Sequence, residues 1–297
     1  MALTTQQQTD LVGTWRLASA TVAGGAGGER DLHGPDPTGF LVFTASGHFA
    51  VFVSRSDLPP FASGDRLDGT DAEHRAVVRG SLGLYGTYRV DGDGVFLDQH
   101  VLGSTFPNWT DLRRGREALT LMVAGDTLTE RLRVGDARLT LVWERHAPAT
   151  GGPAPGGPNR VASVWRMATC EARHGETVEQ PFGPEPAGYL VFTEDGYFVD
   201  VLHRPDLPPF ASGDRQTGTA AENAAVVRDS LGVFGRYGVD AAGDFLDETV
   251  LGCTFPNWVG LSRDRSEITE TVTGRTMTEQ LDAGGGVHIT ITFDRVD

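Results

Sequence analysis

RSDLPPFASGDR at residues 55–66 recurs as RPDLPPFASGDR at residues 204–215. The two stretches agree at 11 of 12 positions and lie 149 residues apart. The same offset relates GPDPTGF (34–40) to GPEPAGY (183–189) and GSTFPNW (103–109) to GCTFPNW (252–258). It also relates EHRAVVRGSLGLYGTY (73–88) to ENAAVVRDSLGVFGRY (222–237). Blocks repeating in the same order exclude chance, so the chain is a tandem duplication. The period is far longer than that of a solenoid repeat, so each copy is a whole domain. Between the copies lies HAPATGGPAPGGPNR (146–160), whose Gly/Pro composition is that of a linker. The reading is one domain over 1–146, a linker over 147–160 and a second domain over 161–297, with the two domains packing on each other.

An apolar fraction of 39%, with 15 Phe, 5 Trp and 5 Tyr, is enough for real cores and argues against global disorder. The net charge of −15 disfavours nucleic acid and anionic membrane surfaces as partners. Cys170 and Cys253 cannot make a disulfide framework, and no Cys/His cluster has zinc-ligand spacing. The first residues lack a basic segment followed by an apolar run, and no stretch is apolar enough to span a bilayer. A soluble cytoplasmic protein is expected. The oligomeric state is not written in the sequence.

Within a copy, a Trp-containing strand comes first (Gly13–Leu17; Ser163–Met167). A hairpin follows: Phe40–Thr44, the turn Ala45-Ser46-Gly47, then His48–Val53. Thr70-Asp71-Ala72-Glu73 and Thr219-Ala220-Ala221-Glu222 are capping boxes, and each opens a helix expected to end at Gly83 and Gly86 or their counterparts. Strands at short, regular spacing then run to Arg145, as in an up-and-down antiparallel barrel or a sandwich. The fold class is all-β: two antiparallel barrels, each with one short α-helix.

The order W-R, GPDPTGFLVFTASGHF, RSDLPPFASGD, the capped helix, YGTYRVD, HVLGSTFPNW and LVWER resembles the bacterial lipocalin-like domain family, over nearly all of each copy. The resemblance implies a calycin-type barrel with a cavity, and no single activity. Some tandem members act in natural-product pathways as cyclases, isomerases or hydratases. The copies depart from the pattern unequally: the first has His100 in the strand before S-T-F-P-N, where the second has Thr249.

Side chains two apart on a strand share a face, so Asp98 and His100 point the same way, with Phe96 beside them. Inside the barrel they would form an acid/base pair, with His100 as acid/base and Asp98 as its orienter. Outside they would be a solvated pair. Asp247 and Thr249 are their counterparts. His48, Ala50 and Phe52 share a face that lines a cavity or builds a barrel core, as do Tyr197, Val199 and Val201. Tyr85, Tyr88 and Tyr237 are hydrogen-bond donors for an oxyanion, or packed rings with satisfied hydroxyls. In the PPFASGD loop, Arg55 (with Arg204) either pins the loop through Asp65 (Asp214) or grips a substrate anion. Trp109 and Trp258 cap a ligand or plug a barrel end. Cys253, in place of Ser104, is a nucleophile or an inert buried thiol.

No dinucleotide fingerprint, P-loop, zinc-protease or nucleophile-elbow motif is present. Together with the activities that the resemblance implies, this gives the expectation of a cofactor-independent enzyme of specialised metabolism. It would cyclise, isomerise, hydrate or dehydrate a hydrophobic small molecule held in a barrel or between the barrels. His100, Asp98 and Tyr88 would act on the substrate, with Arg55, His48, Tyr85, Trp109, Tyr237, Asp247 and Trp258 around it. The alternative is a carrier of an apolar small molecule. Dry, fully paired pockets favour carriage, and convergent unpaired polar groups favour catalysis.

Overall fold

The computed structural model describes residues 10–24, 28–154, 156–283 and 286–296. The N-terminal stretch searched above for a leader (1–9) and Pro155 of the linker lie outside the described residues. In the first copy, β1 (Gly13–Ala23), β2 (Glu29–Asp31), β3 (Pro37–Phe43) and β4 (His48–Arg55) precede α1 (Asp71–Gly80). After it come β5 (Ser81–Val90), β6 (Phe96–Ser104), β7 (Leu112–Gly115), β8 (Leu119–Ala124), β9 (Thr127–Val134) and β10 (Ala137–Arg145). The second copy repeats this as β11 (Ser163–His174), β12 (Thr177–Glu179), β13 (Ala187–Phe192), β14 (Tyr197–His203), α2 (Ala220–Asp229) and β15 (Ser230–Val239). It ends with β16 (Phe245–Cys253), β17 (Ser262–Asp264), β18 (Ile268–Thr273), β19 (Thr276–Asp282) and β20 (Val287–Arg295).

The strand order β7-β6-β5-β4-β3-β1-β10-β9-β8 is an antiparallel meander that β1 closes by pairing with both β3 and β10. The second sheet has the same order. Each copy is thus a nearly closed barrel, left unpaired among the described residues between β7 and β8, or β17 and β18. The short strands β2 and β7 carry no alternating pattern, and the sequence reading passed over them.

Both capping boxes form: Thr70 and Thr219 accept from the N–H of Glu73 and Glu222, whose carboxylates bond back to the cap. Thr70→Ala and Thr219→Ala are each expected to cost about 1 kcal/mol of unfolding free energy in a denaturant titration. The helix stops earlier than its glycines suggested. Ser81 is extended and its hydroxyl donates to Val77 O at 2.8 Å, and β5 starts there. Gly83 and Gly86 belong to the strand. A Cβ at Gly86 would lie 1.9 Å from His100 O, so glycine serves the close approach of β6 at a bulge.

The two barrels pack through β3–β5 and β13–β15. Alternate residues of these strands fill the barrels, and the others form a second core between them: Phe40, Val42, Ala50, Phe52 and Tyr85 against Tyr189, Val191, Val199, Val201 and Phe234. Phe40 meets Phe234 at 4.7 Å and Tyr85 meets Tyr189 at 4.5 Å between ring centres. The His48/Ala50/Phe52 face is therefore neither barrel cavity nor barrel core. It is the seam, because the sheet here is buried on both sides.

The most alike blocks of the two copies bind each other across this seam. Asn108 gives its amide N–H to Phe210 O at 3.0 Å and accepts from Phe210 N at 2.8 Å. Asn257 does the same to Phe61, at 3.1 and 2.8 Å. Arg66 donates to Val227 O and Ser230 O, and Arg215 donates to Val78 O and Ser81 O. This is an isologous contact within one chain: each copy must carry both the PPF-ASGDR loop and the FPNW turn, because each loop docks on the other copy's turn. Arg55 does not reach Asp65. It pairs with Asp57, and Asp65 caps the turn that follows by accepting from Leu67 N. Arg204 and Asp214 behave alike, with Asp206 and Gln216 as partners.

Candidate functional site

The first barrel holds a cavity of about 60 Å³. Phe49, Val51, Leu82, Leu121, Leu141 and Trp143 are among its apolar walls, and Gln99, Arg114, Glu130 and His33 are its polar groups. Gln99 lies between the outward-facing Asp98 and His100, so strand alternation turns it inward. Arg114, 5% exposed, lies over the Trp109 ring at 4.2 Å. Burial lowers its pKa to about 10, so it is still a cation at neutral pH. Its Nη2 has no hydrogen-bond partner among the described residues. Burial raises the Glu130 carboxyl, which accepts from Trp143 Nε1 at 3.1 Å. His33 is pushed down to about 3, first by burial and then by Arg215, so it is neutral and its Nδ1 donates to Gly80 O at 3.3 Å.

The second barrel carries different chemistry at matching positions. Val51, Gln99 and Leu121 become Asp200, Glu248 and Glu270, while Glu279 and Arg263 match Glu130 and Arg114. Glu270 and Glu279 are direct cross-strand partners on β18 and β19. Arg263 lies 3.6 Å from Glu248 and over the Trp258 ring at 4.6 Å. Burial raises all four carboxyls, Glu248 to about 7. Neighbouring carboxyls push Asp200, Glu248 and Glu270 up further. An open groove of about 400 Å³ along β16 and β17 reaches Glu248 and Arg263.

Tyr88 lies in the core of the first barrel, and the other residues singled out from the sequence fall in four places. Trp109 walls the first cavity. Tyr237 and Asp247 share the groove of the second barrel, and Trp258 lies under Arg263. His48 and Tyr85 lie at the seam, both against Tyr189. Asp98, His100 and Arg55 lie on the outside of the first barrel. Phe96 does not share the face of Asp98 and His100: a register shift between Arg89 and Val90 turns it into the core. Asp98 pairs with Arg89, and His100 Nε2 bonds to the exposed Asp111 at 2.5 Å. The two side chains proposed to act together thus have different partners. Tyr88 donates to Thr44 O and Tyr237 to Thr193 O, and burial raises both phenols, Tyr88 to about 12. Cys253 is buried, is pushed up to about 12 and accepts from Phe255 N, as Ser104 does from Phe106 N.

At the seam, His203 Nδ1 sits 2.9 Å from Arg204 O and must donate to it. Burial lowers the ring's pKa, so it is neutral and its Nε2 accepts from the Tyr85 hydroxyl at 3.2 Å.

The sequence reading missed Arg114, Glu130 and the four acids of the second barrel. For Asp200, Glu270 and Glu279 a signal was present: in YFVDVLH, ITETVT and TMTEQL an acid sits two residues from an apolar residue on each side, on a face that periodicity sends inward.

A family model described as Lipocalin-like domain matches residues 12–146 and 163–290. Among curated proteins none matches. A Nostoc punctiforme protein of unknown function is similar in structure at 10% identity, over 99% of this chain and 100% of that one, with a TM-score of 0.25. A Bacteroides fragilis protein named as a candidate outer membrane protein is 11% identical over 98% of this chain and 100% of its own, with a TM-score of 0.24. Isotype 1 transferrin binding protein B of Neisseria meningitidis is 8% identical over 90% of this chain and 52% of its own, with a TM-score of 0.16. Similarities this low carry nothing about function. Among the described residues no helix is long and apolar enough to cross a membrane.

Proposed function

We propose that this chain, which belongs to the lipocalin-like domain family, binds an apolar small molecule bearing an acidic group in the barrel of its first copy. The observation that carries the reading is Arg114: a buried cation with an unpartnered N–H, facing an otherwise largely apolar cavity. A buried donor without a partner costs about 1–3 kcal/mol, which a ligand carboxylate would relieve. The cavity of about 60 Å³ is well below the roughly 150 Å³ that holds a benzene ring. A larger ligand must therefore widen it. Arg114 on β7 and Leu121 on β8 flank the barrel's unpaired seam, which is the natural point of entry.

Octanoate, octanol and octylammonium titrated by calorimetry test the proposal. Octanoate is expected to bind at least tenfold more tightly than octanol, and Arg114→Met to abolish that preference, the loss of one charge-assisted hydrogen bond being worth about 1.5–3 kcal/mol. Equal binding of octanoate and octanol, unchanged by Arg114→Met, sinks the idea.

Glu130 favours a second reading of the same cavity. Burial raises this carboxyl and so makes it a better proton donor than a solvated one, as a cofactor-free cyclisation, isomerisation or hydration in natural-product biosynthesis would need. It sits in the cavity, whereas His100 is engaged with Asp111 outside. Under this reading Glu130→Gln leaves ligand binding intact and removes turnover.

A further inference from the structure

We propose that the interior of the second barrel is a separate binding site for a protonated organic amine. Four carboxyls, those of Asp200, Glu248, Glu270 and Glu279, act on one another there, and the guanidinium of Arg263 lies 3.6 Å from Glu248. Three of the four stand where the first copy has Val51, Gln99 and Leu121, so they are particular to this barrel rather than to the fold. Asp200 is 8% exposed and Glu270 6% exposed, and Asp200 Oδ1 and Glu270 Oε2 have no hydrogen-bond partner among the described residues. Two buried acceptors without donors, in a cluster short of positive charge, define what is missing: a cation that donates hydrogen bonds.

Like charges directly opposite each other on neighbouring strands destabilise a sheet. Glu270 and Glu279 are such a pair: their side chains hydrogen-bond each other, which takes a shared proton that an ammonium group could replace. Among the described residues no three His, Cys, Asp or Glu side chains are arranged to hold a metal ion. An ammonium group has no fixed coordination geometry and carries several N–H donors. Phe198, Leu202, Ile268 and Leu281 flank the acids two residues away on their strands, so an apolar substituent on the nitrogen fits the surroundings. The groove that reaches Glu248 and Arg263 offers the way in.

Binding would convert protonated carboxyls into carboxylates paired with ammonium, with the released protons taken up by buffer. Methylammonium, butylammonium and 2-phenylethylammonium are titrated by calorimetry at pH 7 in two buffers of different ionisation enthalpy, with 1-butanol and 2-phenylethanol as neutral controls. At least one ammonium is expected to bind saturably, with proton release and at least tenfold more tightly than its alcohol. Asp200→Asn and Glu270→Gln should each weaken it at least tenfold. Glu144→Gln, which removes an exterior charge paired with Arg16, should not. Both test substitutions keep the side-chain shape and remove the ability to ionise, and circular dichroism reports whether each is folded. If one fails to fold, the other decides. Absence of binding at millimolar concentration by all three ammonium ions, alcohols binding as well, or folded variants binding like wild type would each overturn the proposal.

Discussion

Arg215→Ala is expected to lower the free energy of unfolding by about 3 kcal/mol, read as a shift of the urea midpoint. Arg215 crosses from the second copy to the first and donates to Val78 O, at 3.1 Å, and to Ser81 O. These carbonyls lie at the end of α1, where the helix no longer supplies donors. Burial lowers the guanidinium to about 10, so it is charged at neutral pH and its bonds are charge-assisted. Removing it leaves two buried acceptors without partners, each costing about 1–3 kcal/mol, offset in part by the burial cost of the charge itself. Arg66, its counterpart, should behave alike in the opposite direction across the seam. An Arg215→Ala variant that unfolds within about 0.5 kcal/mol of wild type would show that the reciprocal contact does not hold the barrels together.

The second large effect is on pH dependence. Glu248 titrates near 7 in the folded chain and near 4.5 in the unfolded one. Between these values the folded state keeps a proton that the unfolded state has lost, so stability from this group is full below about pH 4.5 and falls as pH rises through 7. The change is about 3 kcal/mol at 1.36 kcal/mol per pH unit. Asp200, Glu270 and Glu279 are raised too and have the same sign. His33, lowered to about 3, has the opposite sign: its contribution is present above its ordinary value of 6.5 and is lost as pH falls toward 3. His203 is lowered as well and shares that sign. The two sets offset each other below about pH 6.5, and above it the carboxyls act alone, so stability should decline from there to pH 8. Exposed carboxylates lowered by arginine partners, such as Asp57 and Asp98, act only in the acid range. Glu248→Gln isolates the group, since Gln resembles the protonated acid. Relative to wild type, the variant should gain about 3 kcal/mol between pH 4.5 and pH 8. A difference that stays flat with pH would mean that Glu248 is ionised in the folded chain.

Local features were legible from the residues. The capping boxes at Thr70 and Thr219 depend on side chains three residues apart, and the hairpin at Ala45-Ser46-Gly47 on a turn within a few. Features set by a single irregularity were not. One register shift beside Leu97 separates Phe96 from Asp98, so the shared face that counting in twos gave them does not exist. The copies differ at His48/Tyr197, Ala50/Val199 and Phe52/Val201. These residues face the other barrel, where near-symmetric surfaces meet and identical large side chains would collide. Phe52 presses on Gly232, and the smaller Val201 lies near Gly83.

What the sequence determined by itself was the duplication, the strand and helix content of each copy and the family likeness, because all three are carried by residues close together in the chain or repeated at one offset. The tertiary structure alone decided why PPFASGDR and FPNW are shared by both copies, and where the buried charges meet. Phe61 finds Asn257, Arg215 finds Val78, and Asp200 joins Glu248, Glu270 and Glu279 only after the meanders have closed and packed. A strand's own pattern tells which side a residue faces. It does not tell whether a cavity, a neighbouring barrel or water lies on that side.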